Sequence, residues 1–135
     1  MSIISKLSLN NWKKLNQKIL TCKKCKRLVN FRQKIALHKT KRFKDWQYWG
    51  KPVCGYGNKK GRLVILGLAP AAHGGNRTGR VFTGDKSADF LINCLHKVKL
   101  VNQPTSEKIN DGLIMHNSYM TPALKCVPPE DKPTS

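Results

Sequence analysis

Acidic residues are scarce in this 135-residue chain: seven Asp and Glu stand against 26 Lys and Arg, a formal net charge of +19. The first acid is Asp45, so residues 1–44 carry 14 Lys and Arg and no carboxylate. That imbalance points to a polyanion as the partner, since binding another protein rarely calls for so much charge of one sign. Long apolar runs are missing too. No stretch approaches the roughly 18 residues that span a bilayer, and the N-terminus MSIISKLSLNNWKKL has no apolar segment followed by a small-residue cleavage site. The expectation is a cytoplasmic protein with no membrane partner. Only 39% of the residues are hydrophobic, which limits the core to that of one modest domain and excludes a large multidomain enzyme. Internal repeats and low-complexity tracts are absent.

The cysteines are too few and too irregular for a disulfide scaffold. Five of them, an odd number, suit metal ligation or buried thiols in a reducing compartment. Cys22-Lys23-Lys24-Cys25 is a C-x-x-C pair whose lysines favour the thiolate. A second C-x-x-C, which a four-cysteine zinc ribbon would need, does not occur. Cys54, Cys94 and Cys126 remain as partners, and Cys126, at the end of an expected strand, is the best placed of them.

Apolar residues Trp12, Leu15, Ile19 and Leu20 recur every three to four positions, which predicts an amphipathic helix from Asn10 to about Leu28 with a lysine-rich polar face. Residues 38–62, with Pro52 and four glycines, read as loop. Trp46, Tyr48 and Trp49 within it have two readings, packing over a sheet edge or stacking on a base. The run Leu63-Val64-Ile65-Leu66-Gly67-Leu68 has the continuous apolar character of a buried parallel strand. Ser87 to Leu100 reads as a helix with Phe90, Leu91, Cys94, Leu95 and Val98 on its inner face. Leu113 to Leu124 is a second strand candidate. Strand, loop, helix and strand together predict an α/β domain with a parallel sheet, preceded by a basic segment over residues 1–62.

Between the first strand and its helix lies the glycine-rich loop of residues 69–80. It lacks the Gly-Lys-Ser/Thr ending of a nucleotide P-loop, and its glycines do not give G-x-G-x-x-G, so kinase and dinucleotide oxidoreductase readings lose their main support. What remains is a basic polar loop at the carboxyl end of a strand, where open α/β sheets place their ligands. His73, Arg77 and Arg80 are there to meet phosphate or a base, or else to be solvated. Asp85 has a structural reading as the cap of the helix that follows.

These residues resemble a known family. GLAPAAHGGNRTGRVFTGD (Gly67 to Asp85), preceded by CKKCKRLV and YWGKPVCGYG and followed by NQPTS, DG and CVPPEDKPT, is similar in content and order to the family 5 uracil-DNA glycosylases over nearly the whole chain. Ala69 and Ala71 stand where other uracil glycosylases carry an acidic or amide residue. The resemblance implies a three-layer α/β/α sandwich with a central parallel sheet, and hydrolysis of the N-glycosidic bond of uracil and other deaminated bases in DNA. It assigns Phe82 to stacking on the extruded base, and Asp85 to the attacking water and the developing sugar cation. Gly67, Ala69, Ala71 and His73 join Phe82 around the base, and Asn76, Arg77 and Arg80 are expected to contact DNA. Cys22, Cys25 and Cys126 would be three ligands of a 4Fe-4S cluster, with Cys54 a free thiol.

In the family a fourth cysteine and a histidine motif follow further downstream. The resemblance therefore implies the N-terminal part of a single glycosylase domain (1–62 and 63–135), and raises a separate polypeptide as the bearer of the remainder. Pro122 and Asp131 depart from the family pattern: the proline removes a ladder donor and the carboxylate opposes phosphate. Two other readings of the residues are a DNA-binding remnant without catalysis and a thiolate metal-binding module.

Overall fold

In the computed structural model, residues 3–134 are described, with side chains from residue 9 onward. The basic N-terminal segment forms two helices rather than one, α1 (Ile3–Leu20) and α2 (Lys26–Leu37). The expected Asn10–Leu28 helix breaks at Thr21, although no Pro or Gly marks the spot. The Thr21 hydroxyl bonds back to the Gln17 carbonyl at 2.8 Å, and Cys22 N–H tightens onto the Ile19 carbonyl at 3.1 Å. A side chain that competes for helix carbonyls in this way favours termination. The C-x-x-C pair thus lies in the turn between helices, with Cys25 as the residue that precedes α2.

The sheet has three strands, β1 (Tyr56–Gly57), β2 (Leu63–Gly67) and β3 (Ser118–Pro122), in the order β1-β3-β2. β2 and β3 run parallel, Leu63 beside Ser118 through Gly67 beside Pro122, as the α/β pattern predicts. β1 adds an antiparallel partner on the far side of β3, so the described sheet is mixed rather than wholly parallel. Pro122 interrupts nothing, because the pairing continues past it through Ala123 N–H to Gly67 O (2.8 Å) and Leu124 N–H to Leu68 O (2.9 Å).

Adjacent residues of a strand face opposite ways, and β3 uses both faces. Tyr119 meets Trp12 of α1, ring centroids 5.2 Å apart. Met120 enters the core with Val53, Val81, Val101, Met115 and, from α4 (Lys86–Lys97), Ile92 and Leu95. Helices therefore flank the sheet on both sides, which gives the layered α/β arrangement. α4 ends with Lys99 at φ 61°, where Lys99 N–H bonds His96 O (3.0 Å) and Leu100 N–H bonds Leu95 O (2.9 Å). That is a Schellman closure with lysine in the position glycine usually takes.

Two expectations about burial change. β2 reads as a buried strand, yet Val64, Leu66 and Leu68 are 62%, 66% and 64% exposed: alternating along the chain, they share one face that no described element covers. α4 is rotated from the predicted face: Ala88, Ile92 and Leu95 are buried, while Phe90 and Val98 lie outside. Cys94 is half-buried, consistent with a packed thiol.

A loop held at the end of the strand, and a cleft between cysteines

Past Gly67 the chain turns through Leu68–Ala72 into a single helical turn, α3 (Gly75–Thr78), and returns through Val81–Asp85 to α4. Buried hydroxyls hold this loop. Thr78 Oγ1 and Thr83 Oγ1 are 2.6 Å apart, Thr83 also donates to the Arg80 carbonyl (2.8 Å), and Arg80 N–H donates to Thr78 Oγ1 (3.2 Å). Satisfied buried networks of this kind fix one conformation. Two glycines are obligatory by contact. A Cβ on Gly74 would lie 2.5 Å from the Thr83 carbonyl, and one on Gly67 would lie 2.8 Å from Phe82 Cε2.

Phe82 is the unusual residue of the loop. Its φ is 54°, a left-handed conformation that a bulky side chain avoids and that concentrates at functional sites. The strain sets its half-buried ring against bare Gly67 at the end of β2. Phe82, Ala69, Ala71 and Asp85 line a common cavity of about 230 Å³ with Leu68 and Thr83. That is below the ~300 Å³ typical of small-ligand pockets, and suits one flat ring. Ala69 and Ala71 contribute no polar group to its wall, and the polar side chains there are those of Thr83, Asp85 and Ser87. Asp85 caps α4, its Oδ1 accepting from Ala88 N–H at 2.7 Å with extended backbone (φ −134°, ψ 168°). The predicted cap is present, and the exposed carboxylate beside the cavity keeps a second oxygen that takes no part in it.

His73 is placed next to this loop but is engaged by Tyr48, whose hydroxyl lies 2.8 Å from Nδ1. Asn76, Arg77 and Arg80 differ from expectation. All three are buried, at 1%, 4% and 6% exposure, and Asn76 and Arg80 spend their polar atoms on partners inside the molecule. Asn76 Nδ2 donates to the Arg32 carbonyl (3.1 Å). Arg77 lies between two aromatic rings, 3.9 Å from the Phe43 centroid and 4.1 Å from that of Trp46, while its Nε donates to the His73 carbonyl (2.6 Å). Arg80 donates to the Ile109 carbonyl (2.6 Å), to Ser106 Oγ (3.3 Å) and to Asp111 Oδ1 (2.8 Å), the one ion pair among the described residues. Asn76 and Arg80 thus hold the loop from inside, whereas the terminal nitrogens of Arg77 make no hydrogen bond within the described residues. Of the aromatic trio, Trp46 stacks on Arg77, Tyr48 meets the His73 ring edge-on and Trp49 packs against the core.

Desolvation would raise the Asp111 carboxyl, but N–H groups of Glu107 and Leu113 and the Arg80 guanidinium outweigh it and hold the group below its usual range. The neighbouring Tyr56 phenol is pushed up to about 12 by burial, against the opposing pull of Arg80.

The cysteines separate into two places. Cys22, Cys25 and Cys126 border one cleft of about 750 Å³ with Lys18, Pro52 and Arg32. Arg32 Nη1 lies 3.1 Å from Cys126 Sγ. Burial raises the Cys126 pKa, Arg32 pulls it back, and the Cys22 and Cys25 sulfurs push it up again, so the three thiols are electrostatic neighbours. Cys54 faces a different cavity, of about 820 Å³, with its sulfur 3.8 Å from the Asn16 carbonyl. Among the described residues no three His, Cys, Asp or Glu side chains stand close enough together to hold an ion. The soft donor set and the cationic Arg32 suit an iron-sulfur group in chemistry, while the sulfurs are not drawn into a coordination sphere. Arg32 has no signature in the sequence beyond one more cation. The Tyr48–His73 and Phe43–Arg77–Trp46 contacts are likewise invisible there, although interleaved aromatic and basic residues over 42–49 are a hint.

No described helix is long and apolar enough to cross a membrane. Residues 54–135 match the family model described as the uracil DNA glycosylase superfamily. Over 120 residues, 89% of this chain and 45% of the relative, the chain is 51% identical to a type-5 uracil-DNA glycosylase of Mycobacterium tuberculosis. It is 44% identical to the type-5 uracil-DNA glycosylase of Pyrobaculum aerophilum over 87% of this chain and 51% of that one. The like-named protein of Thermus thermophilus is 43% identical over 87% and 53%. The chain spans about half the length of the curated relatives it matches. In those relatives the further length belongs to the same polypeptide, so a separate partner chain has no support.

Proposed function

The chain belongs to the uracil-DNA glycosylase superfamily, and from that premise we propose that it serves a DNA repair glycosylase that releases uracil and related deaminated bases from DNA. The observation that carries the reading is Phe82, set in a strained backbone against Gly67 and sharing a ring-sized cavity with Asp85. Chemistry on a base requires the nucleotide to leave the duplex, and an aromatic face can hold it outside the stack. As the N-glycosidic bond lengthens, positive charge builds on the sugar. A carboxylate fixed by its helix cap can stabilise that charge and take a proton from the attacking water, with no covalent enzyme intermediate. Substrate-side contacts are assigned to Gly67, Ala69, Ala71, His73 and Phe82, and the general-base role to Asp85.

The cleft between α1 and α2 is where Cys22, Cys25 and Cys126 would hold a 4Fe-4S cluster. Bound there, the group would tie the two basic helices to the segment after β3. We place the protein in the cytoplasm, a reading supported by its five unpaired cysteines.

The test is single-turnover release of free uracil from a duplex bearing one uracil, by the full-length protein that contains these 135 residues. Uracil release with a base-labile abasic strand is the expected result. An intact strand after alkali, with duplex bound, would leave a DNA-binding protein without this chemistry.

A further inference from the structure

With Asn76 and Arg80 committed to internal partners and Arg77 held between two rings, the freely exposed cations nearest the base cavity lie outside the loop. The segment His38–Lys44 carries a group of them. Lys39, Lys41, Arg42 and Lys44 are all exposed on and around a 3-10 turn (Lys41–Phe43), and Asp45 is the sole acid nearby in sequence. The turn is not a free arm. Phe43 and Trp46 grip the Arg77 guanidinium from two sides at 3.9 and 4.1 Å, and the Arg77 Nε bond to the His73 carbonyl ties that grip to the loop. On its other side the guanidinium fills the space where Gly84 would carry a Cβ. One side chain therefore connects the basic turn to the residue immediately before Asp85. Arg77 also has no carboxylate partner among the described residues, so its charge adds to the positive potential under the turn instead of being cancelled. Arg42 lies close enough to affect Arg77 electrostatically, which places the exposed and the buried cations in one patch.

We propose that the Lys39–Lys44 turn is the ledge that grips the DNA backbone beside the flipped base, and that Arg77 joins the ledge to the cavity. The inference rests on the glycosylase reading for the nature of its partner. Lys and Arg on a rigid turn position a duplex without reading its sequence, and each phosphate they neutralise releases counterions and steepens the salt dependence of binding.

The experiment compares two triple variants of the full-length protein. One is Lys41→Gln/Arg42→Gln/Lys44→Gln. The other is Lys60→Gln/Lys97→Gln/Lys99→Gln, which removes the same charge from exposed positions at the opposite end of β2 and α4. Both sets leave the core untouched, and circular dichroism checks their fold. Affinity for a uracil-free duplex is measured across a series of salt concentrations. The ledge variant should lose about 0.9 in log–log slope per phosphate contact, roughly 2 to 3 in all, and the distal variant well under 1. Equal losses in the two variants, or a loss confined to the distal one, overturn the ledge and leave the glycosylase reading intact, because uracil release is scored separately. Flat salt dependence in the unsubstituted protein overturns the ledge. Absence of uracil release together with the expected slopes keeps the ledge and rejects the chemistry.

Discussion

Asp85 caps α4 and is the proposed general base, and two substitutions separate the two roles. Its Oδ1 caps α4 through Ala88 N–H at 2.7 Å. Asparagine presents the same carbonyl acceptor in the same place and ranks with aspartate as a cap. Asp85→Asn therefore keeps the bond and loses only the favourable charge at the helix N-terminus, about 0.3–1 kcal/mol. Alanine loses the acceptor as well, a further cost of about 1 kcal/mol. For a domain of this size, 1 kcal/mol corresponds to roughly 3–5 °C in melting temperature. Asp85→Asn should thus melt within about 4 °C of the parent and Asp85→Ala several degrees lower. The chemical step responds otherwise: neither variant can take a proton from water, so both should lose about 10²–10⁴-fold in the single-turnover rate. Binding to uracil-free duplex should change less than about twofold, because one exposed charge is a small part of a net +19. The assay pairs thermal melting with quenched-flow base release on the same preparations. Should the asparagine variant excise at the parental rate while only the alanine variant fails, Asp85 is a cap and the general base lies elsewhere.

Three other outcomes follow from the geometry. Phe82→Ala should weaken capture of uracil-containing duplex by about 1–3 kcal/mol, roughly 5- to 150-fold. Gly67→Ala should give the same phenotype, since its Cβ would come within 2.8 Å of the Phe82 ring; the double variant should then be no worse than the more damaging single one, read by titration of labelled duplex. Asp111→Asn should cost ~3 kcal/mol in urea unfolding, because Arg80 is left buried without its counter-charge. Asp111 binds its proton less tightly folded than unfolded, so its contribution is complete above the ordinary aspartate pKa and fades as pH falls through the lower folded value; the asparagine variant should lose that part of the acid dependence. For the thiol cleft, Cys126→Ser should lower the iron retained after anaerobic reconstitution, whereas Cys54→Ser should leave it unchanged because Cys54 faces the other cavity; equal effects of the two would place Cys54 among the ligands.

Much of the site was legible in the primary structure because it is local. Gly67 to Asp85 is one continuous stretch; its glycines and the Asp85 cap follow from what a strand-to-helix turn demands of its backbone, while Phe82 was singled out by the family resemblance alone and its strained backbone was not foreseen. The α/β class followed from the switch between an apolar strand and an amphipathic helix, and the expectation of a polyanion partner from charge alone. Three matters were decided only in tertiary space. Burial of Arg77 and Arg80 depends on Phe43, Trp46 and Asp111, more than 25 residues away in the chain, and no local pattern distinguishes an arginine that is sandwiched from one that is solvated. The grouping of Cys22 and Cys25 with Cys126, and not with Cys54, comes from packing between distant segments: the first three border one cleft while Cys54 borders another. The apolar β2 lies at an edge because strand order is a property of pairing between distant segments, and hydrophobicity reports only that a strand has apolar faces, not how many neighbours it has found.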